Sequence, residues 1–565
     1  MKKKGNKPLK QAGIITIVIL MFGLPLLSQT SRNFEISKNL EIFTTLFREL
    51  NKNYVDEISP GDLMKSGIDA MLESLDPYTV FISEADVEDY QFITTGQYGG
   101  IGALIHKQGE YVVVAEPYEN NPAHTSGLKA GDKILEVDEK SIKGMSSGDV
   151  STILKGQPGT TVTLLIERED EKSPVEFKIE RKNVKIENIP YYGILDHDVG
   201  YIKLSGFTQN AGKEVKDAFI NLKNEHQLNG LILDLRGNGG GLLHEAVNIA
   251  NIFMDKGEPI VSTRGRLPVK NQTYKTTEPA IDTEIPLIIL VDQTSASASE
   301  IVAGAVQDHD RGVVIGQKTF GKGLVQNVIP IAYNSQMKVT VAKYYIPSGR
   351  CIQEIDYTQK DSNGDSPKIA DSTIRAFQTK GGRVVYDGHG IDPDILVKTD
   401  TLSNISYTLL IRYHFFDFAT QFARKHQTIP PPDEFEISDL IFNDFKTFID
   451  ERGYDYTTNC EKSLQKFRET AKKENYYEDL ELEIDALATK LQMNKTLDVE
   501  KNRKEIEQIL KMEIISRYYY QKGKIIASLA DDQEIAKALE LLSQKDSYIA
   551  ILDGSFSTAP MKDRN

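Results

Sequence analysis

Thr294, Ser295, Ser297 and Ser299 crowd into "DQTSASASEIVAGAVQD", Asp292 to Asp308, between an apolar run and a helical pattern. A serine hydroxyl is a weak nucleophile until a base takes its proton, after which it can accept an acyl group. Pro286 to Val291 reads as a buried strand, and Ile301, Val302, Ala305 and Val306 form one apolar helix face. A hydroxyl at their junction stands at a helix N-terminus, beside unpaired N–H groups and the positive end of the dipole. Plain capping fits equally well: Ser297 and Glu300 have capping-box spacing, with Glu reaching back to the Ser N–H. This stretch alone leaves both readings open.

The choice turns on a base. A helix over 299–308 sets His309 about 18 Å along the axis from Ser297, and the same arithmetic weakens Asp308. Distance does not exclude His197 or His244, but nothing around them favours either. Lys322 stands out between Gly321 and Gly323 in "GQKTFGKGLVQ", flanked by Phe320, Leu324 and Val325. An exposed Lys titrates near 10.4; lowering that by two or three units costs roughly 3–4 kcal/mol, which an apolar pocket can impose. A Lys so desolvated can take a serine's proton. Ser146 in "GMSSG", 144–148, satisfies G-x-S-x-G, but that chemistry needs a buried strand running into the serine. The preceding "EKSIK" is a polar turn, so Ser146 is not expected to be catalytic.

Acyl transfer also needs two donors for the developing oxyanion. The Ala298 N–H, directly after Ser297, is the natural first. The glycines of "LILDLRGNGGG" offer backbone donors too, though such a turn can equally cradle a phosphate at the following helix. The dinucleotide fingerprint fails, because Leu242 stands where its last glycine is required, and no Walker lysine follows.

Around these residues, apolar strands alternate with helical stretches from Tyr191 to about Thr399: "VGYIKLSGF", a helix around 211–225, "GLILDLRG", a helix after Gly241, then "IPLIILVD". This rhythm predicts an α/β domain with a largely buried sheet. Gly96 to Lys185 mixes short strands, glycine turns and a helix near 147–155, as a small binding module does. Earlier, Phe43, Leu46 and Leu50 share one helix face; Ser59-Pro60 opens a second helix with Leu63, Met64, Ile68, Met71 and Leu72 inward. After Pro430-Pro431-Pro432 the pattern becomes helical, with Ile437, Leu440, Ile441, Phe445 and Phe448, then Ile506, Ile509, Leu510 and Ile514.

At 565 residues the chain suggests roughly three or four domains. Its formal charge of −15, with no dominant basic stretch, argues against a general nucleic-acid binder. Lys2, Lys3, Lys4, Lys7 and Lys10 precede an uncharged apolar run, 13–27, laid out as a secretory signal. As a helix it would span about 22 Å, short of a roughly 30 Å hydrocarbon core, which favours a cleaved signal peptide over a short anchor. Either places the body outside the cytoplasm. Cys351 and Cys460 alone imply no disulfide framework.

The segment "GGIGAL", followed in order by "SGLKAGD", resembles a PDZ domain; N–H groups around Gly100, Ile101, Gly102 and Ala103 would then hold a peptide's terminal carboxylate. Taken together, "SASASEIVAGAVQD", "TFGKGLVQ" and "LILDLRGNGGG", with "LDPYTVFIS" ahead and "VVYDGHGIDPDI" behind, are similar to the C-terminal processing peptidases, or tail-specific proteases. The resemblance spans about 75–397. It implies an α/β protease core of the ClpP/crotonase-like kind with an inserted PDZ domain, an N-terminal helical segment and an all-α C-terminal domain. The corresponding boundaries are a signal peptide or anchor at 1–30, the helical segment at 31–95, the PDZ unit at 96–185, the core at 186–400 and the helical domain at 401–565. It further implies Ser297 as nucleophile, Lys322 as general base, Gln326 orienting that base, and Gly240, between Gly239 and Gly241, as second oxyanion donor. Glu300 is given a supporting or capping role. The implied activity is endoproteolysis of unstructured C-terminal tails of envelope proteins, without metal or organic cofactor. Some relatives gate the site through an Arg before a glycine; here Lys155 of "ILKGQPG" holds that place, without the bidentate fork. Partners would be peptides with free C-termini, plus an adaptor or a second copy at the helical domain, in the envelope or periplasm. A Ser-Lys hydrolase of cell-wall peptides and a non-catalytic PDZ scaffold or ligand carrier are the rival readings; the presence of both Ser297 and Lys322 counts against the second.

Overall fold

Leu287 to Val291 are five apolar residues in a row, all buried, in the middle of a parallel sheet, so both faces of that sheet must be covered by other parts of the chain. The structure, a computed structural model, describes residues 32–361, 364–398, 401–454, 456–495 and 497–555. The apolar run at 13–27 lies outside them. Among the described residues no helix is long and apolar enough to cross a membrane, and Cys351 and Cys460 are free thiols. The chain divides into two compact units, Met1–Phe81 and Ile82–Asn565.

In the first unit, residues 32–53 form helix α1 and Pro60–Glu73 helix α2. Ser59 caps α2 by accepting the Asp62 N–H, and Pro60 fills its first turn. Leu72 is buried, but Met71, expected inward, is 60% exposed. Asp76 Oδ1 accepts the N–H groups of Tyr78 and Thr79, making the turn of "LDPYT" before β1 (Val80–Ile82).

Helix α3 (Val87–Thr95) stops at left-handed Gly96. Strands β2 (Gln97–Gly100), β3 (Ala103–Gln108), β4 (Tyr111–Pro117), β5 (Lys133–Val137), β6 (Lys140–Ser141), β7 (Thr161–Glu167), β8 (Val175–Glu180) and β9 (Lys182–Lys185) follow, with helices α4 (Pro122–Thr125) and α5 (Ser147–Leu154) among them. β2 and β9 pair and close the segment at its base. The others form an antiparallel sheet in the order β3-β4-β5-β7-β8, with β6 on β5. β3 is therefore an edge strand. Ser146 is the N-cap of α5 in a capping box with Asp149, which is all the G-x-S-x-G match amounts to.

The core sheet runs β10 (Tyr191–Leu195), β11 (Val199–Lys203), β12 (Gly230–Asp234), β15 (Leu287–Val291), β16 (Val313–Gly316) and β21 (Ile395–Leu396), parallel from β11 onward. Helices α6 (Ala211–Glu225), α7 (Leu243–Phe253) and α8 (Ala298–Asp308) supply crossovers. A second, antiparallel sheet, not anticipated from the sequence, joins β13 (Pro259–Gly265) to β14 (Gln272–Lys275) and to β18 (Gln336–Tyr345), and β18 to β17 (Leu324–Pro330). Its strands carry Lys, Arg, Gln and Asn among the apolar residues, which hides them from a hydrophobicity reading. β19 (Ala376–Gln378) and β20 (Val384–Tyr386) form a hairpin.

Beyond 401 come α9 (Asn404–Ile411), α10 (His414–Lys425), α11 (Asp439–Arg452), α12 (Asn459–Lys473), α13 (Tyr477–Lys495), α14 (Asp498–Lys501), α15 (Arg503–Leu529), α16 (Gln533–Ser543) and α17 (Lys545–Leu552). Phe415, Phe418, Phe445 and Phe448 pack with Ile506, Leu510 and Ile514 in a core of their own. Leu440, part of the same helical pattern, is 71% exposed. This domain grips the edge-strand sheet: His106 of β3 stacks 4.2 Å from Tyr413, Gln108 donates to Asp417, and Arg424 pairs with Glu169.

The period-two alternation of the core strands divides their side chains between two faces. Ile202, Leu231, Leu233, Leu287, Ile289 and Val291 face α6, α7 and α8. Val199, Tyr201, Ile232, Ile288, Leu290, Val313 and Ile315 face Ile535, Ala538, Leu541 and Leu542 of α16 and Tyr548 and Ile551 of α17. A boundary at 401 thus follows composition but not packing, because the last two helices complete the core. Leu542→Ala should accordingly cost about 2–4 kcal/mol of global stability, read from the urea midpoint; a wild-type midpoint would show that these helices are only appended.

Candidate active site

The parallel strands β11, β12 and β15 end on the same side, and their C-terminal ends carry the residues picked from the sequence, as open α/β sheets favour. After β15 the chain turns sharply into α8, with Ser297 as N-cap at φ 57° and ψ −110°. Positive φ is costly for a serine and persists only when its surroundings fix it. Here the Ser297 N–H donates to Glu300 Oε2 at 2.8 Å, and its carbonyl accepts from Ile301 N–H at 2.9 Å and from the Tyr344 hydroxyl at 3.2 Å. The neighbouring hydroxyls have structural work. Ser295 Oγ donates to the Leu235 carbonyl and Ser299 Oγ to the Asn238 carbonyl, both at 2.9 Å, so they staple the "DLRGN" segment against the Ser297 turn.

Glu300 is fully buried, and its carboxylate gathers four donors. Oε1 accepts from the Thr319 hydroxyl at 2.6 Å and the Gly321 N–H at 2.7 Å; Oε2 accepts from Ser297 and, at 2.9 Å, from the Lys322 N–H. The backbones of Ser297 and Lys322 therefore meet on one oxygen. Burial pushes the Glu300 carboxyl up, the four donors pull it down, and burial prevails at about 7. Ser297 and Lys322 are both half-buried.

The glycine turn after β12 reaches the same place. A Cβ on Gly240 would lie 2.5 Å from the Ala296 carbonyl oxygen and 2.9 Å from both the Ala298 nitrogen and Ser297 Cβ, and its φ is 95°. Only glycine allows that approach. The Gly240 N–H, however, donates to Asn238 Oδ1 at 2.9 Å. Among the described residues the amides of Ala298, Gly239 and Gly241 have no acceptor. Asn238, missed in the sequence, is fully buried; its Nδ2 donates to the Leu204 carbonyl and its carbonyl accepts the Ala296 N–H. An Asn inside a glycine run was the available signal.

Gln326 lies on β17 opposite Thr340 and donates to its hydroxyl at 3.1 Å. Its described bond is thus to a cross-strand neighbour. His309 sits at the far end of α8, with Nε2 2.7 Å from the Pro259 carbonyl oxygen. His197 precedes β11, at the opposite end of the sheet, and His244 is exposed at the start of α7.

In the edge-strand unit, Gly100, Ile101 and Gly102 are buried and Ala103 opens β3. The Ile101 and Gly102 carbonyls accept the Ala123 and Tyr118 N–H groups, whereas among the described residues the Ile101 and Gly102 amides have no acceptor. Lys155 ends α5 with its ammonium 5.8 Å from the Tyr98 ring centre. Arg181, also missed, donates to the Ile153 and Leu154 carbonyls and so caps α5.

Three family models match: residues 198–362 match "Peptidase family S41", 99–179 match "PDZ domain", and 405–542 match "Probable PDZ-protease, C-terminal helical domain". The "Carboxy-terminal-processing protease" of Bartonella bacilliformis is 36% identical over 324 residues, 57% of this chain and 74% of that protein. The "Probable CtpA-like serine protease" of Staphylococcus epidermidis is 33% identical over 347 residues, 60% of this chain and 69% of that one. Among solved structures, the photosystem II D1 C-terminal processing protease is 27% identical, covering 64% of this chain and 93% of that chain at a TM-score of 0.35. With its peptidase, PDZ and helical segments so matched, the chain belongs to the carboxy-terminal-processing proteases of peptidase family S41 and is a serine-type peptidase.

Proposed function

We propose that this peptidase cleaves protein tails by acyl transfer on a Ser297–Lys322 dyad. The observation that carries the reading is the Glu300 carboxylate, which holds the backbones of both residues on one oxygen. Ser297 Oγ attacks the scissile carbonyl carbon while the neutral Lys322 amine accepts its proton; the ammonium then protonates the leaving amine. A water then gives its proton to Lys322 and attacks the acyl carbon; the bond to Ser297 Oγ breaks, and the ammonium returns the proton to that oxygen. Gln326, fixed by Thr340, orients the amine. Negative charge on the carbonyl oxygen is met by the Ala298 N–H and by the glycine turn. Gly240 serves there only if the substrate oxygen shares the amide now bonded to Asn238, with the unpaired Gly239 and Gly241 amides beside it.

Recognition of the tail follows from the edge strand. The Ile101 and Gly102 amides donate to the terminal carboxylate in the loop running from Gly100 to Ala103, and the peptide adds as a strand along β3. Lys155, held at the Tyr98 ring, is the candidate gate. The Lys-rich, apolar N-terminus supports an envelope or periplasmic setting with envelope proteins as substrates, and the helical domain offers a dock for an adaptor or a second copy. The strand–helix crossovers of the core support kinship with the ClpP/crotonase-like fold.

Cleavage of an unfolded protein by wild type, Ser297→Ala and Lys322→Ala tests the dyad: each variant should lose on the order of a thousandfold or more in kcat, and undiminished turnover in either refutes the assignment. Peptides with free C-termini should be cleaved faster than their amidated twins; equal rates would remove the role of tail recognition. Glu300 gives a pH test. It binds its proton more tightly in the folded chain, at about 7 against an ordinary 4.5, so its stabilising contribution is complete below pH 4.5 and is lost as pH rises through 7. The stability of wild type relative to Glu300→Gln should therefore fall by on the order of 3 kcal/mol from acid to mildly alkaline pH; parallel urea-unfolding profiles for the two proteins would contradict the burial argument.

A further inference from the structure

The glycine turn beside Ser297 cannot hold its own shape, since Gly237, Gly239, Gly240 and Gly241 leave the backbone free to adopt many conformations. It must be fixed from outside. Its exit is fixed by the Leu242 N–H on the Phe207 carbonyl, and its middle by Asn238. Its entry is Arg236, and that residue is pinned through every polar group it has. The Arg236 N–H donates to Asp234 Oδ1, and its carbonyl accepts from Lys203 Nζ at 2.7 Å. Nε and one terminal nitrogen make a bidentate pair with Asp234, itself buried and held to about 2 because Arg236 and Lys203 outweigh its burial.

The other terminal nitrogen of Arg236 reaches across roughly three hundred positions of sequence: it donates to Asp532 Oδ2 and to Glu534 Oε2, both at 2.7 Å. Asp532 is also the N-cap of α16; its Oδ1 accepts the Glu534 and Ile535 N–H groups, which leaves Oδ2 for the guanidinium. The docking of α16 does not require this pair, because Ile535, Ala538, Leu541 and Leu542 already seat the helix on the sheet. Two carboxylates, Glu534 buried and Asp532 half-buried, aimed at one arginine therefore do something other than attach the helix. We infer that Asp532 and Glu534 are positioning residues for the oxyanion site: they clamp Arg236, and through it they set the glycine turn against Ser297 and Ala298. The final helices of the chain then belong to the catalytic unit. This rests on the proposed use of the glycine turn as an oxyanion donor.

Neutral isosteres separate positioning from folding, since Asn still caps a helix while its amide gives Arg236 no charge. In full-length Asp532→Asn/Glu534→Gln, kcat on a tail peptide should fall on the order of tenfold, a fraction of what deleting an oxyanion donor costs, with KM within about twofold. A peptide aldehyde, whose adduct with Ser297 places an oxyanion in the site, should bind about tenfold more weakly, while binding of the uncleaved peptide in a Ser297→Ala background stays unchanged. Wild-type kcat and aldehyde affinity, or losses that only track the unfolded fraction seen by circular dichroism, would overturn the inference. Should the double variant not fold, Asp532→Asn alone, which keeps the cap, must show the same split between kcat and KM. If instead the dyad reading were at fault, Ser297→Ala would still cleave and wild type would ignore the aldehyde, a pattern the clamp variants cannot mimic.

Discussion

A carboxylate fully removed from water is tolerable only when its oxygens are met by donors, and Glu300 meets four of them from two places in the chain. The loop at 319–322 has no regular structure to hold it. The carboxylate does the work of a strand partner: it pins that loop to the first turn of α8, so the placements of Ser297 and Lys322 become one problem with one solution. It also helps to keep Ser297 in a backbone conformation that a serine would otherwise leave.

The same economy runs through the turn after β12. Glycines let the backbone come within contact distance of Ser297, and the freedom they bring is removed by side chains from elsewhere: Ser295 and Ser299 from the elbow, Asn238 from within, and Arg236 at the entrance. Flexible backbone beside Ser297 is made rigid by side chains whose own positions are fixed by burial and hydrogen bonding. This is also why α16 and α17 matter. They cover the second face of a sheet whose strands are apolar on both sides, and bring the carboxylates that meet Arg236.

The edge-strand unit is held in a complementary way. β3 turns His106 and Gln108 toward Phe416 and Asp417 of α10, while its other edge pairs with no strand among the described residues. Helix α15, which also contacts this unit where Tyr520 meets His124, breaks its helical path at Tyr520 (φ 52°, ψ −155°) before leading on to α16. One helix thus joins the edge-strand unit to the covering layer of the core sheet.

Much of this was legible in residue order. The helix at 211–225, the buried strand at 287–291 and the elbow from it into α8 follow from local patterns, because hydrophobic period and strand length are properties of neighbouring residues. Glu300 was visible as a capping partner, and Gly240 as a turn glycine. The second sheet was not, since its strands mix charge with apolar residues, and neither were the roles of Asn238, Arg236 and Arg181, each of which is defined by partners far along the chain. For Met71, periodicity points inward but cannot say how wide the buried strip is. By itself the sequence determined which residues have the chemistry of an acyl-transfer peptidase and which segments present them; the tertiary structure alone decided that one buried carboxylate joins residues 297 and 322, that the Gly240 amide is already bonded, and that the last helices seal the catalytic sheet. The reason is physical: chemistry and periodicity are local properties of a chain, whereas burial and the identity of a hydrogen-bond partner exist only once distant segments have met.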